Sequence, residues 1–162
     1  MNDHSVYDLI EWSPVNIMLT VCHGELISVS FLRDSEDPPR EMPRDPEAVA
    51  FASSQVKEYL NGTRKSFELP LTLHGSPFQV RVWSHLQNMP YGELQTYGEV
   101  ARNMGRFGAS RAVGGAVRRN HLPIVVPCHR IVAHNGIGGF TGGLDIKQAL
   151  LKIEGVNLET SV

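Results

Sequence analysis

The first third of the chain alternates apolar and polar residues in the manner of short β-strands. Three runs are rich in β-branched and aromatic residues, and they cover positions 7–11, 17–22 and 26–32. His23-Gly24-Glu25 separates the second run from the third and predicts a short hairpin turn. The pattern therefore predicts a small antiparallel sheet at the start of the chain.

After a polar, proline-rich loop over 33–44, the apolar spacing becomes helical. Asp45-Pro46 combines an N-cap residue with proline at the first helical position, and Gly62 is positioned to end the helix. We expect the inward face to carry Val49, Val56, Tyr59 and Leu60. Residues 67–73 again have the composition of a strand.

The second half of the chain begins with a predicted amphipathic helix. Ser76-Pro77 opens this helix and Pro90-Tyr91-Gly92 ends it. Its apolar face consists of Phe78, Val82, Trp83, Leu86 and Met89. A last helix is predicted over 145–154, with Ile146, Leu150 and Ile153 buried.

Between these two helices the pattern predicts a helix-turn-helix. Thr96 and Glu99 form a capping box for a helix that ends at Gly105, and a second helix covers about 108–119. Two short helices joined by a glycine-containing turn are typical of this motif, although many helical domains contain such a pair.

The charge distribution supports the prediction that this helix pair is a helix-turn-helix. The 162 residues have a formal charge of −2, yet residues 101–144 hold six arginines and no acidic residue. These are Arg102, Arg106, Arg111, Arg118, Arg119 and Arg130. Residues 1–100 hold seven basic and fourteen acidic side chains. A positive block in an acidic protein favours a binding site for a polyanion, and a solvated face is the alternative.

Cysteine usage bears on the compartment. Cys22 and Cys128 are the only cysteines, too few for a disulfide framework, and free thiols favour a reducing environment. No apolar run approaches the length of a membrane span, and the start lacks the layout of a signal peptide. We expect a cytoplasmic protein, nuclear if eukaryotic, that does not engage a membrane.

Cys128 is the candidate reactive group. It lies in the run Pro123-Ile-Val-Val-Pro127-Cys128-His129-Arg130, which predicts a buried, extended segment. A free cysteine is most often a small core hydrophobe. Neighbouring histidine and arginine side chains favour the thiolate, which is the nucleophile, so both interpretations stay open.

The extended segment constrains how His129 could serve Cys128. Successive side chains would point to opposite sides, so a water would have to relay a proton between them. A third group must then hold the imidazole, and Glu154 at the end of the last helix is a candidate. The helix dipole disfavours an acid there, which suggests a special role, although a solvated glutamate is the alternative.

Several motifs, in order and over about residues 76–155, resemble the O6-alkylguanine-DNA alkyltransferases. Val126-Pro127-Cys128-His129-Arg130-Ile131 looks like the active-site signature of this family. The run from Arg111 to Asn120 is similar to its recognition helix and the asparagine that follows. Gly136–Gly143 resembles its substrate-binding loop, and Pro90-Tyr91-Gly92-Glu93 with Thr96-Tyr97 matches the entry to its helix-turn-helix.

The resemblance implies catalytic roles for four residues. Cys128 would accept the alkyl group, and His129 would act as its base through a water. Glu154 would fix His129. Asn120 would hydrogen-bond the turn and the active-site segment, and so connect the recognition helix to Cys128.

The resemblance also implies roles towards DNA. Tyr97 would rotate the target phosphate and bond the flipped base, and Arg111 would fill the space left in the base stack. The helix would lie in the minor groove, where small side chains allow close approach. Further DNA-contacting residues would be Ala109, Ser110, Ala112, Gly114, Gly115, Arg118 and Arg119. Val117, Pro123, Phe140 and Thr141 would line the substrate pocket.

The chain departs from the family pattern at two positions. Phe140 stands where many relatives have tyrosine, and His121 stands where many have proline. Some relatives bind zinc in the amino-terminal domain, but here only His4, Cys22 and His23 fall nearby, so we expect no metal and no cofactor.

We therefore predict an α/β protein of two domains. Residues 1–74 would form a small antiparallel sheet with a helix in a ribonuclease-H-like arrangement. Residues 75–162 would form a helical, winged-helix-like domain that carries the helix-turn-helix. The predicted function is DNA repair by direct reversal. An alkyl group would pass from O6-alkylguanine, and also O4-alkylthymine, in double-stranded DNA to Cys128 of a monomer, in an irreversible, single-turnover transfer.

Two alternatives remain at this point. A non-catalytic helix-turn-helix protein would bind DNA without needing Cys128. A Cys-His hydrolase would need direct contact between nucleophile and base, together with an oxyanion hole.

Overall fold

The computed structural model describes residues 4–158. They divide into two compact units, the first ending at Thr72 and the second starting at Leu73, whereas the sequence predicts a boundary after residue 74. No helix in the described range is long and apolar enough to cross a membrane.

The first unit contains the predicted antiparallel sheet. Its strands are β1 (Ser5–Trp12), β2 (Val15–Cys22) and β3 (Glu25–Leu32), in the order β1-β2-β3. β2 lies in the centre and is buried along almost its whole length. His23 and Gly24 connect β2 to β3 with φ of 50° and 79°, and two positive φ values are what a type I′ hairpin turn requires.

Helix α1 (Pro46–Leu60) packs on β1 and β2. It begins as predicted, because the Asp45 side chain accepts a hydrogen bond from the Ala48 amide (3.0 Å) and Pro46 occupies the first turn. Its buried face consists of Val49, Ala52, Ser53, Val56 and Tyr59. Leu60, which the periodicity predicts on this face, is half-buried.

The strand predicted over 67–73 is wrong. Only an isolated bridge forms there, between Leu71 and Leu26. Pro70 lies in the middle of the stretch and has no N–H to donate to a ladder, so pairing cannot extend through it.

The second unit is mainly helical. Its elements, in chain order, are α2 (Pro77–Gln87), β4 (Gln95–Thr96), α3 (Tyr97–Asn103), α4 (Ser110–Arg118), β5 (Ile131–Val132) and α5 (Leu144–Ile153). The side chains of α2 and α4 pack together, and the Trp83 indole donates a buried hydrogen bond to Ala116 O (2.9 Å). A Cβ on Gly75 would lie 2.6 Å from the Trp83 ring, so only glycine fits there.

Helices α3 and α4 form the predicted pair and pack against each other. The capping box is present, with Glu99 N donating to Thr96 Oγ1 (3.1 Å) and Thr96 N donating to Glu99 Oε2 (2.7 Å). The predicted fold class is confirmed: a small three-stranded antiparallel sheet with a helix precedes a helical carboxy-terminal part.

The segment before Cys128 is buried as predicted but is not extended. Val126 N bonds Leu122 O (2.8 Å) and closes a turn, and Ile124 has φ of 74°. A β-branched residue rarely adopts this left-handed conformation, and here full burial of the Ile124 side chain holds it. Cys128–Arg130 then forms one turn of 3-10 helix. Apolar composition predicted the burial, but not the backbone path.

Candidate active site

Cys128 is the first residue of the 3-10 turn, and its side chain is 6% exposed. Burial raises the pKa of its thiol to about 11, although a hydrogen bond from Asn120 and the charge of Lys147 oppose this rise. The resting group is therefore the neutral thiol. From the sequence, we expected positively charged neighbours to favour the thiolate. Burial has the larger effect on the pKa of Cys128.

Asn120 follows α4 and bonds the segment that leads to Cys128. Its Nδ2 donates to Val126 O (2.9 Å), and its Oδ1 accepts from Leu122 N (2.9 Å). Cys128 N in turn donates to the same Val126 carbonyl (2.7 Å). One amide side chain thus joins the end of α4 to the cysteine turn.

His129 Nε2 lies 2.9 Å from Glu154 Oε1, and both side chains are fully buried. A carboxylate only accepts hydrogen bonds, so Nε2 carries the proton and Nδ1 is the basic nitrogen. Burial lowers the pKa of His129, with Glu154 acting in the opposite direction. The imidazole is therefore neutral near pH 7 and can accept a proton at Nδ1.

The Glu154 carboxylate accepts hydrogen bonds from two parts of the unit, the cysteine turn and the turn at Gly92. Arg130 Nη2 donates to Oε1 (2.8 Å), and Arg130 Nε and Gly92 N donate to Oε2 (2.9 and 3.0 Å). Burial alone would raise the pKa of Glu154, but the hydrogen bonds and charges of His129 and Arg130 outweigh it, and the pKa falls well below its usual range. Glu154 is therefore a buried carboxylate rather than a solvated residue at a helix end.

Arg130 is a structural partner of Glu154 and not part of the exposed positive surface. It is 5% exposed, its Nη1 donates to Met89 O (2.7 Å), and its guanidinium lies over the Tyr91 ring, 5.8 Å from the centroid. Tyr91 itself donates to Ile153 O (3.0 Å). From the sequence, Arg130 was predicted to be one of the polyanion-binding charges, and this prediction was wrong. The other five arginines of that block are exposed.

The short parallel pairing of β4 with β5 brings Tyr97 near the cysteine turn. Gln95 pairs with Ile131, directly after the turn, and Tyr97 is the next residue but one. The Tyr97 ring lies against α4 and the loop over residues 136–143, here called the glycine loop. A Cβ on Gly114 would be 3.7 Å from the ring, and one on Gly138 would be 3.2 Å from the hydroxyl. Gly138 has φ of 75°, which also favours glycine.

A cavity of about 880 Å³ opens between α4 and the glycine loop. It is lined by Tyr97, Ser110, Arg111, Gly114, Arg118, Gly139, Phe140 and Thr141. Phe140 and Thr141 were predicted as pocket residues and do line it. Val117 and Pro123 were also predicted there, but they are buried and do not line this cavity, and neither does Cys128.

The predicted DNA-contacting residues of α4 and its entry fall into two groups. Ser110, Arg111, Ala112, Arg118 and Arg119 are exposed, whereas Ala109, Gly114 and Gly115 are half-buried. A Cβ on Gly115 would meet no atom within 4 Å, so packing inside the protein does not require glycine there. Ala109, Ala112, Gly115 and Arg119 do not line the cavity.

Sequence reasoning missed Lys147. Its side chain is fully buried, and its Nζ donates to Ile131 O (2.5 Å) and Gly139 O (3.0 Å). It therefore joins the strand after the cysteine turn to the glycine loop. Burial lowers its pKa to about 8, although the nearby Cys128 opposes this. The available signal in the sequence was the position of Lys147, which directly follows the apolar Ile146 and is followed one turn later by further apolar residues.

Comparison with known proteins agrees with this geometry. Residues 77–156 match the family model described as 6-O-methylguanine DNA methyltransferase, DNA binding domain. A methylated-DNA–protein-cysteine methyltransferase of Methanosarcina acetivorans is 42% identical over 154 residues, which cover 93% of this chain and 99% of that protein. One of Mycolicibacterium paratuberculosis is 49% identical over 111 residues, covering 68% of this chain and 67% of that protein.

A solved structure matches over the same length. The crystal structure of Mycobacterium tuberculosis OGT in complex with DNA superposes with a TM-score of 0.84 at 37% identity, and the match covers 93% of each chain. The fold and the buried cysteine define an alkyltransferase that acts on DNA. The chain belongs to the methylated-DNA–protein-cysteine methyltransferase family. The resemblance stated from the motifs is confirmed, and neither the non-catalytic binding protein nor the hydrolase is favoured.

Glu154→Gln tests the buried carboxylate. Removing its charge leaves Arg130 buried without a countercharge, so we expect the free energy of unfolding at pH 7 to fall by about 3–5 kcal/mol. The depressed pKa of Glu154 means that its contribution is complete above the unfolded pKa of about 4.3 and declines as pH falls through the folded value. Denaturant titrations should therefore show a smaller difference between wild type and variant below about pH 4.

Glu93→Gln is the matched control, because Glu93 is exposed and lies near the same turn. It should change the free energy of unfolding by less than about 0.5 kcal/mol. Equal effects of the two substitutions would contradict the assigned role of the Glu154 carboxylate.

Lys147→Met tests the influence of the buried ammonium on the thiol. Lys147 has a pKa of about 8 and is charged at pH 7, where its charge favours the thiolate of Cys128, so its removal should slow modification of Cys128 by a small alkylating reagent at that pH. Lys152→Met removes an exposed charge from the same helix and should leave this rate unchanged. An unchanged rate in Lys147→Met would exclude the electrostatic coupling.

Proposed function

We propose that the protein, as a monomer on double-stranded DNA, transfers the alkyl group of O6-alkylguanine, and also of O4-alkylthymine, to Cys128. The observation that carries this proposal is the side-by-side arrangement in one 3-10 turn of a buried thiol and a neutral imidazole held by a carboxylate. Because Nε2 of His129 is bonded to Glu154, Nδ1 is the nitrogen that would take the proton of the thiol.

The modified base would leave the duplex before it reacts, because its O6 atom cannot be reached inside the base stack. The cavity bounded by Tyr97 and Phe140 is large enough to receive it, and the base would have to reach beyond the lining of this cavity to meet Cys128. Arg111 is exposed at the rim and would occupy the space left in the stack. Packing inside the protein does not require a glycine at position 115, because a Cβ there would meet no atom within 4 Å. A glycine at this position would, however, allow α4 to approach a minor groove closely.

The reaction begins from a protonated thiol, since burial holds the pKa of Cys128 at about 11. The thiol proton passes through a water to His129 Nδ1, and the Glu154 carboxylate stabilises the resulting imidazolium. Sulfur then attacks the alkyl carbon: the S–C bond forms, the C–O6 bond breaks and its electron pair stays on the oxygen. The imidazolium returns its proton by way of the water to the base, which becomes ordinary guanine, and His129 is neutral again.

Each molecule acts once under this scheme. A thioether is a poor leaving group, so the alkylated Cys128 is not restored by reversal of the transfer. Tyr97 would donate a hydrogen bond to the flipped base, and Asn120 would hold the thiol turn against the end of α4 through its bond to Val126.

The nucleophile is tested with duplex DNA that carries a methyl-labelled O6-methylguanine. Wild type should take up one label per molecule on Cys128, and Cys128→Ala should take up none while still binding the duplex. Cys22→Ala is the matched control and should react like wild type. Label on Cys22, or transfer that survives in Cys128→Ala, would refute the assignment.

Alkylation should also destabilise the protein. Cys128 is 6% exposed, so a methyl group overfills its site, and such overpacking costs about 1–3 kcal/mol. The thioether sulfur is also a weaker acceptor than a thiolate for the hydrogen bond from Asn120. We expect a lower Tm after stoichiometric reaction, a larger drop for benzyl than for methyl, and faster proteolysis between Asn120 and Cys128.

The control for this measurement is Cys128→Ala, which cannot be alkylated and whose melting curve should be the same before and after incubation. An unchanged or higher Tm of the reacted wild type would reject the coupling between the thiol and the Asn120 turn. It would leave the transfer chemistry itself intact.

A further inference from the structure

The connection between α3 and α4 is built from two hydrogen-bonded turns. Gly105, with φ of 70°, donates to Arg102 O (2.9 Å), and Arg106 N donates to Ala101 O (2.8 Å), which is the Schellman arrangement at a helix end. Ala109 N then donates to Arg106 O (3.1 Å) and closes a second turn. The connection is therefore a defined structure.

Phe107 is at the corner of the second turn. It is the second of the four turn residues, and Gly108 after it has φ of 77°, the value that a type II turn requires at its third residue. Phe107 is 79% exposed. Among the described residues, the other exposed large hydrophobic side chain is Leu144, at 44%.

A single exposed apolar side chain is common on protein surfaces, so exposure alone assigns nothing. What distinguishes Phe107 is its neighbourhood. The exposed Arg102, Arg106 and Arg111 lie within five residues of it along the chain, inside a stretch of 44 residues, 101–144, that contains no acidic side chain. An apolar ring framed by cations is complementary to a surface that combines apolar groups with negative charge, as sugars and phosphates do.

The position of the cavity indicates on which side of the turn a bound duplex would lie. Ser110 and Arg111, at the start of α4, line the cavity that would receive the base, and Phe107 precedes Ser110 by three residues. A duplex that presents a base there while Arg111 enters its stack must run past this end of α4. The turn then lies beside the duplex, outside the lesion itself.

We propose that Phe107 and Arg106 form a second DNA-contacting element, in which the ring packs on deoxyribose and base edges flanking the lesion and the guanidinium binds a phosphate. This inference rests on the proposed function, because it assumes that α4 engages duplex DNA. It adds an apolar contact that salt does not screen. The hydrogen bonds of the turn fix the backbone that carries the ring and so lower the ordering cost of binding.

The test compares Phe107→Ala, Arg106→Ala and the control Leu144→Ala in the full-length protein. Affinity for a short undamaged duplex is measured by fluorescence anisotropy at several salt concentrations. The rate of reaction with free O6-benzylguanine serves as the readout of fold and chemistry. Phe107→Leu is included to preserve an apolar side chain at the turn.

We expect Phe107→Ala to weaken duplex binding about five- to tenfold at every salt concentration, as for loss of an aromatic contact with nucleic acid. Arg106→Ala should instead reduce the slope of log K against log salt by about one, because one phosphate contact is lost. Phe107→Leu should recover part of the affinity. All variants should react with free O6-benzylguanine like wild type, and Leu144→Ala should match wild type throughout.

Three results would overturn the inference. The first is unchanged duplex affinity in Phe107→Ala. The second is an equal loss of rate with free O6-benzylguanine, which would mean that the ring supports the fold. The third is a loss confined to long duplexes that hold several protein molecules, which would assign Phe107 to a contact between copies of the chain. If wild type itself neither binds the duplex nor reacts with O6-benzylguanine, the proposed function fails first.

Discussion

The second unit depends on the charge of one buried carboxylate. Glu154 ends α5, yet its hydrogen bonds reach the imidazole and the guanidinium of the cysteine turn and the backbone of Gly92. Helix end, preceding turn and reactive turn are therefore mutually positioned by one group. The hydrogen bonds and charges of His129 and Arg130 keep Glu154 ionised in a buried site, and the ionised Glu154 in turn orients the neutral imidazole of His129.

Local signals were sufficient for most of the fold. Capping residues, turn glycines and apolar periodicity predicted three strands, four of the helices that flank or form the helix-turn-helix, and α1. They failed at 67–73, where a proline interrupts pairing, and before Cys128, where burial is achieved by turns. In both segments the composition reports an apolar environment correctly. The backbone path depends on hydrogen-bond partners distant in sequence, which composition does not encode.

The site was predicted in part for the same reason. The resemblance named Cys128, His129, Glu154 and Asn120, and the structure brings these together. The roles of Arg130 and Lys147 were not foreseen, because a cation within an arginine-rich or amphipathic stretch is expected at the surface. Only the tertiary structure reveals that Arg130 binds a carboxylate and that Lys147 binds two backbone carbonyls. The sequence alone also could not show whether burial or nearby charge has the larger effect on the pKa of the Cys128 thiol.

Burial of Cys128 has a consequence for how the protein survives in a cell. Peroxides and most electrophiles attack thiolates that are accessible to solvent, and the products range from reversible sulfenic acid to irreversible sulfonic acid. A thiol with a pKa of about 11 and 6% exposure presents almost no such target. A protein that can use its sulfur only once thereby keeps it in the reduced state until a substrate arrives.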